Sequence, residues 1–270
     1  MEVRLFGASG TSVPVLGQGT WQIQSSDVVV RTLQRGVDLG MTHIDTAELY
    51  TGAEEVVGRA IRGRRDDVFL VSKVMPKNAS RRGVVAACER SLKKLGTDSL
   101  DCFLLHWSDG SHPIADTMLG MRDLLWQGKV RNVGVSNFDV GQLEEAAAAL
   151  DEYELVCNQV RYNLIDRSIE DEVIGWCEAR GVAVVGYSPF EGLADYSAAQ
   201  RAALETISAR YEKTVRQVIL QYLTQSSSLF AIPKASSLAH VEENAGGEGF
   251  ELTADDLAVI EAAFPAGSAG

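Results

Sequence analysis

The amino-acid sequence predicts an α/β fold, a single (β/α)8 TIM barrel with an N-terminal β-hairpin closing its base. Three observations carry that prediction. Short β-branched runs alternate with amphipathic stretches along nearly the whole chain. Several of the runs are apolar on both faces, as strands covered by helices are. The first run, THID, passes straight into TAELY, without the GxGxxG turn with which a doubly wound open sheet holds phosphates.

In chain order, VRLF and SVPVL flank a GASGT turn and read as the hairpin, with glycines that allow positive φ. The expected barrel strands are THID (42–45), VFLVSK (68–73), DCFLLH (101–106), VRNVGVS (130–136), LVCNQV (155–160), VAVVGY (182–187), SLFAIP (228–233) and a weak GFEL (249–252). Helical patterns lie between them. SSDVVVRTLQRGVDLG has serine at its cap and Gly40 at its stop. Others are SRRGVVAACERSLKKLG, SIEDEVIGWCEARG and TADDLAVIEAAF. Segment 191–213 is a long, partly helical connection. No composition shift or linker marks a second domain, so residues 1–270 are expected to form one barrel domain.

The composition, 46% hydrophobic and 23% charged, is that of an ordinary globular protein. A net charge of −12 argues against general binding to nucleic acid or an anionic membrane. Cys88, Cys102, Cys157 and Cys177 form no CxxC pair and sit in apolar runs, which reads as buried reduced thiols. His43, His106, His112 and His240 show no ligand spacing, so no metal site is expected. The amino terminus has no apolar signal core, and the cytoplasm is the default location.

In a barrel of this kind chemistry collects at the carboxyl ends of the strands. Those ends supply Asp45, Lys73, His106, Ser136–Asn137, Gln159, Tyr187 and Lys234, with Tyr50 in the loop after the first. The first three, together with Tyr50, match what carbonyl reduction needs. As hydride reaches carbon, a proton must reach oxygen, and a free phenol is a weak acid at neutral pH. The ammonium of Lys73 would stabilise tyrosinate at Tyr50, and ~2 pH units of that help takes about 2.7 kcal/mol. Asp45 would serve as the counter-ion of a buried Lys73, and His106 would fix the geometry at the substrate oxygen. Taken singly each has an ordinary reading: Asp45 as a cap, Tyr50 as packing, Lys73 as a solvated charge, His106 as a core histidine. Their succession on consecutive strand ends favours the functional one.

THIDTAELY, LVSKV, DCFLLHW, GKVRNVGVSNF, NQVRYN, GYSPF and IPKASSLAHVEEN together resemble the aldo-keto reductases, short prokaryotic-type members in particular. The similarity covers almost the whole chain, and HIDTA-x-x-Y and GVSNF are its most specific parts. The resemblance implies a catalytic tetrad at Asp45, Tyr50, Lys73 and His106 and a nicotinamide cofactor bound without a Rossmann fold. It implies that Thr20, Ser136, Asn137 and Gln159 meet the nicotinamide end and that Tyr187 stacks on the ring. Ser188 and the backbone of 189–193 would follow the pyrophosphate. Lys234 with Ser236 or Ser237 would meet the 2′-phosphate, and Glu243 and Asn244 the adenine. His240 stands where many members carry arginine, which gives up a bidentate clamp. NADPH is still expected, with NADH possible. Trp21 and Trp107 would line the substrate pocket with Tyr50 and His106, while Trp126 and Trp176 read as packing residues. A long carboxyl-terminal loop of larger relatives is missing, which implies an open site with broad substrate preference.

The expected function is therefore an oxidoreductase reducing aldehydes or ketones of small molecules with NAD(P)H, acting as a monomer. The alternative is a non-catalytic cofactor-binding sensor or regulatory subunit on the same barrel. A metal-dependent isomerase or hydrolase would want more histidine and carboxylate ligands than the strand ends supply.

Overall fold

The computed structural model describes residues 1–266. Two short antiparallel strands, β1 (Val3–Leu5) and β2 (Ser12–Pro14), form the expected hairpin. The barrel strands are β3 (Gln18–Gly19), β4 (His43–Asp45), β5 (Phe69–Val74), β6 (Leu100–Leu105), β7 (Val130–Ser136), β8 (Leu155–Arg161), β9 (Ala183–Tyr187) and β10 (Leu229–Ala231). All eight are parallel and lie in the order β3 to β10. Parallel bridges Leu16–Ala231 and Gly19–Lys234 join the last strand to the first and close the cylinder.

The eighth strand differs from the expectation. Residues 249–252 form no strand; the place belongs to Gln18–Gly19, just after the hairpin. Two residues without a β-branched side chain give almost no periodic signal. They pair with β4, Gln18 opposite Ile44 and Gly19 opposite Asp45, and the chain beside them meets β10, as in Gly17 N–H donating to the Ala231 carbonyl at 2.8 Å.

Outside the strands lie α1 (Asp27–Asp38), α2 (Ala53–Ala60), α3 (Arg81–Leu95), α4 (Ile114–Trp126), α5 (Val140–Leu150), α6 (Val173–Ala179), α7 (Ala198–Arg210), α8 (Val215–Leu223), α9 (Leu238–Ala245) and α10 (Ala254–Ala263). The hydroxyls of Ser26 and Ser80 cap α1 and α3 by accepting from the N–H three residues on, and Gly96 ends α3 in a left-handed conformation. Among the described residues, no helix is long and apolar enough to cross a membrane.

Period-two alternation divides each strand between two cores. Leu70 and Val74, Phe103 and Leu105, and Val133 and Val135 join the layer under the helices. The other set, with Phe69, Val71, Cys102, Leu104, Cys157, Val185 and Phe230, fills the barrel with Phe6 from the hairpin. Gly7 presses the hairpin onto the base: its φ is +55°, and a Cβ there would collide with the Val156 carbonyl. The four cysteines are free and buried, and burial pushes the Cys88 and Cys177 thiols up to about 12. Trp176 is buried, whereas Trp126 is 81% exposed.

Candidate active site

Four of the inward-facing columns are apolar at the base and end in a polar or aromatic group at the mouth. Phe69 and Val71 lead to Lys73, Cys102 and Leu104 to His106, Cys157 to Gln159, and Val185 to Tyr187. A strand that alternates strictly has no other way to deliver both a dry floor and reactive ends.

The centre of the mouth is a buried ion pair. Lys73 Nζ donates to Asp45 Oδ1 at 2.5 Å and to the Thr46 carbonyl at 3.0 Å, and neither charged side chain has appreciable contact with solvent. Gln159 Nε2 donates to the other oxygen, Asp45 Oδ2, at 2.8 Å. Thr20 adds a bond from Oγ1 to the Asp45 carbonyl at 2.8 Å. Lys73 of β5 and Gln159 of β8 thus converge on the carboxylate of β4, while Thr20, just after β3, holds its backbone. The loop that brings Tyr50 back over this pair is pinned by backbone bonds, Thr46 N–H to the Val71 carbonyl and Glu48 N–H to the Lys73 carbonyl.

Lys73 Nζ lies 5.1 Å from the centroid of the Tyr50 ring. The rings of Trp21 and His106 stand 4.9 Å and 5.6 Å from it, and Trp107 is 4.9 Å from His106. Burial, the largest influence, raises the Tyr50 phenol above its ordinary 10; the Lys73 charge opposes that, and Asp45 adds to it. The net direction corrects the sequence-based expectation of a phenol brought down toward neutrality: desolvation of tyrosinate outweighs the cation. Lys73 is raised, because Asp45 and Tyr50 together overcome the burial that would discharge it. His106 falls to about 3 through burial first and Lys73 second, so it is a neutral imidazole at pH 7.

The neighbouring mouth residues are knitted together by Asn137. Its φ of +60° is a left-handed conformation that asparagine tolerates. The side chain accepts from the Tyr187 hydroxyl at 2.8 Å and donates to the His106 carbonyl and Ser136 Oγ at 3.1 Å. Ser188, next along, also has positive φ, at +54°.

These groups open into a cavity of about 770 Å³. Of the residues expected from the sequence, Thr20, Trp21, Asp45, Tyr50, His106, Trp107, Asn137, Gln159, Tyr187, Ser188 and Lys234 line it. Ser136 and Lys73 lie behind that lining, fully buried. Ser236, Ser237, His240, Glu243 and Asn244 are not on its wall: Ser237 caps α9, His240 is exposed, and Glu243 borders an adjoining groove of about 310 Å³. Asn244 is buried, with Nδ2 lacking a partner. Sequence reasoning missed Arg161 and Arg216, which also line the cavity, and expected only the backbone of Phe190 there. Arg161 stands two residues beyond Gln159 on the same strand, a period-two signal that was available; Arg216 lies on α8, outside any motif. Among the described residues, no cluster of histidine, cysteine and carboxylates is arranged to hold a metal.

Comparison with known proteins agrees with this geometry. The sequence model of the aldo/keto reductase family matches residues 15–264. The chain is 39% identical to methylglyoxal reductase YeaE of Escherichia coli K12, covering 98% of this chain and 96% of that protein. It is 31% identical to a glyoxal reductase of Bacillus subtilis, over 94% and 90% of the two chains. Among solved structures, an aldo/keto reductase of Klebsiella pneumoniae in complex with NADP and acetate superposes with a TM-score of 0.88 at 36% identity, covering 98% and 96%. The chain belongs to the aldo/keto reductase family.

Proposed function

We propose that this protein reduces aldehyde or ketone groups of small molecules, α-dicarbonyls of the methylglyoxal type among them, to alcohols with NADPH. It acts as one barrel domain spanning residues 1–270, a monomer in the cytoplasm. The observation that carries the reading is the solvent-free Asp45–Lys73 pair beneath the Tyr50 ring on the floor of an open cavity. The relatives named for methylglyoxal and glyoxal reduction support the substrate class, and the NADP in the Klebsiella structure supports the cofactor.

The chain's own groups fit a dinucleotide. Trp21, Tyr187, Ser188 and Lys234 line one cavity, and the buried amide of Asn244, off its wall, lacks an acceptor. In this reading Ser136, Asn137 and Gln159 hold the carboxamide, Tyr187 supports the ring, and Lys234 meets phosphate. When bound, NADPH supplies hydride to the carbonyl carbon. Tyr50 donates its phenolic proton to the carbonyl oxygen; because burial holds the phenol protonated, the proton is present across the neutral range. Lys73 stabilises the tyrosinate left behind, at the moment when that charge forms. Asp45, tethered by Gln159 and Lys73, keeps the ammonium in place. His106, neutral, offers a hydrogen bond to the same oxygen. Trp21 and Trp107 give the substrate an apolar wall beside that oxygen.

The test is NADPH oxidation on a panel containing methylglyoxal and nitrobenzaldehyde, with NADH in parallel. Turnover on several members, faster with NADPH, is expected. No turnover on the whole panel, with the dinucleotide bound, contradicts the enzyme and favours a cofactor-binding regulator.

A further inference from the structure

The cavity has a second basic group that the sequence motifs do not account for. Arg216, the second residue of α8, is half-buried, and its guanidinium carbon stands 4.5 Å from the centroid of the Phe190 ring. It lines the cavity together with Lys234 and Ser188, and it also borders the adjoining groove beside Glu243. Arg161, the other arginine of the cavity, is paired with Glu191 at 3.5 Å. Arg216 has no carboxylate within ion-pairing distance among the described residues, although Glu205 and Glu243 share its groove.

In a chain with a net charge of −12, a half-buried cation with no acidic partner stands against the overall field. Stacking on Phe190 orients the planar guanidinium without using its N–H donors, which leaves the fork free for an oxyanion. Lys234, lining the same cavity, supplies a second charge. His240, the residue expected at the phosphates in place of an arginine, is exposed and off the wall of this cavity.

We propose that Arg216 is a phosphate-binding residue of the dinucleotide groove, gripping a phosphate of the cofactor jointly with Lys234. The inference rests on the reading of the cavity as a dinucleotide site. The phosphate is either the 2′-phosphate or the pyrophosphate, which present the same chemistry to a guanidinium.

Dissociation constants for NADPH and NADH, measured by tryptophan fluorescence without turnover, test it on the wild type, Arg216→Met and Arg216→Lys. Arg216→Met is expected to weaken NADPH by ~10–100-fold, the range of a charge-assisted hydrogen bond, while Arg216→Lys, which keeps the charge but not the planar fork, loses less than Arg216→Met. A loss confined to NADPH assigns the 2′-phosphate, and an equal loss for both assigns the pyrophosphate; either supports the proposal. Unchanged affinity for both in Arg216→Met overturns it while leaving the cofactor reading intact, as does a loss of both in Arg216→Lys equal to that in Arg216→Met. A wild-type chain that binds neither dinucleotide overturns both.

Discussion

His43 and His106 stand at opposite ends of the barrel, on strands two apart, and the same causes push both down to about 3: burial first, the Lys73 charge second. Their surroundings differ. At the base His43 is fully buried among Phe6 and Phe69, each 5.6 Å away and edge-on, with both ring nitrogens unpartnered. At the mouth His106 lines an open cavity beside Tyr50 and Trp107. A depressed imidazole therefore reports burial; access and a proton-bearing neighbour are what make it useful. The carboxylates repeat the lesson. Asp101 at the base is held by Arg65 at 2.7 Å, by Arg131 at 2.9 Å and by the Leu70 N–H at 2.8 Å. Among the described residues, Asp45 at the mouth has the single cation Lys73, and that cation also acts on Tyr50.

The difference is breakable by substitution. The largest effect is expected from Tyr50→Phe, which removes the proton donor and lowers kcat by ~10²–10⁴ with NADPH affinity kept; steady-state kinetics and a binding titration read the two separately. Lys73→Met comes next. It strands Asp45 without its cation, so urea denaturation is expected to show a loss of about 3–5 kcal/mol alongside a crippled kcat. His43→Leu changes stability and not kcat, and its pH-dependent part appears only in acid. Because the folded-state pKa of about 3 lies below the ordinary 6.5 of histidine, the unfolded chain takes up the proton first. The wild-type contribution is thus complete above pH 6.5 and is lost as pH falls toward 3, by about 4 kcal/mol at the lower end. Denaturation at pH 7 and pH 4 should show the variant gaining on the wild type in acid, with kcat at neutrality unchanged. Arg131→Met is the smallest: Arg65 still holds Asp101, Arg131 is mostly exposed, and a loss of at most ~1 kcal/mol is expected in the same assay.

Most of the barrel was legible in the sequence because its strands alternate with capped amphipathic helices, and the mouth residues announce themselves as polar endings on apolar runs. What escaped was set by tertiary context. Gln18–Gly19 becomes a strand because β4 pairs with it and the chain around it bridges to β10, whereas 249–252 pairs with neither. The direction of the Tyr50 shift depends on how deeply the phenol is covered, which Lys73 and Tyr50 as letters do not reveal. Arg216 reaches the cavity from a helix rather than a strand end, so the rule that found Lys234 passed over it.

The central claim, that the Lys73 cation acts on the Tyr50 phenol, is tested most directly by titrating Tyr50 with ¹³C-labelled tyrosine in NMR, its resonance assigned through Tyr50→Phe. In the wild type Tyr50 should titrate above 10, and in Lys73→Met higher still, since the charge that opposes burial is gone. A Tyr50 resonance that titrates at the same pH in both proteins, or lower in the variant, contradicts the account.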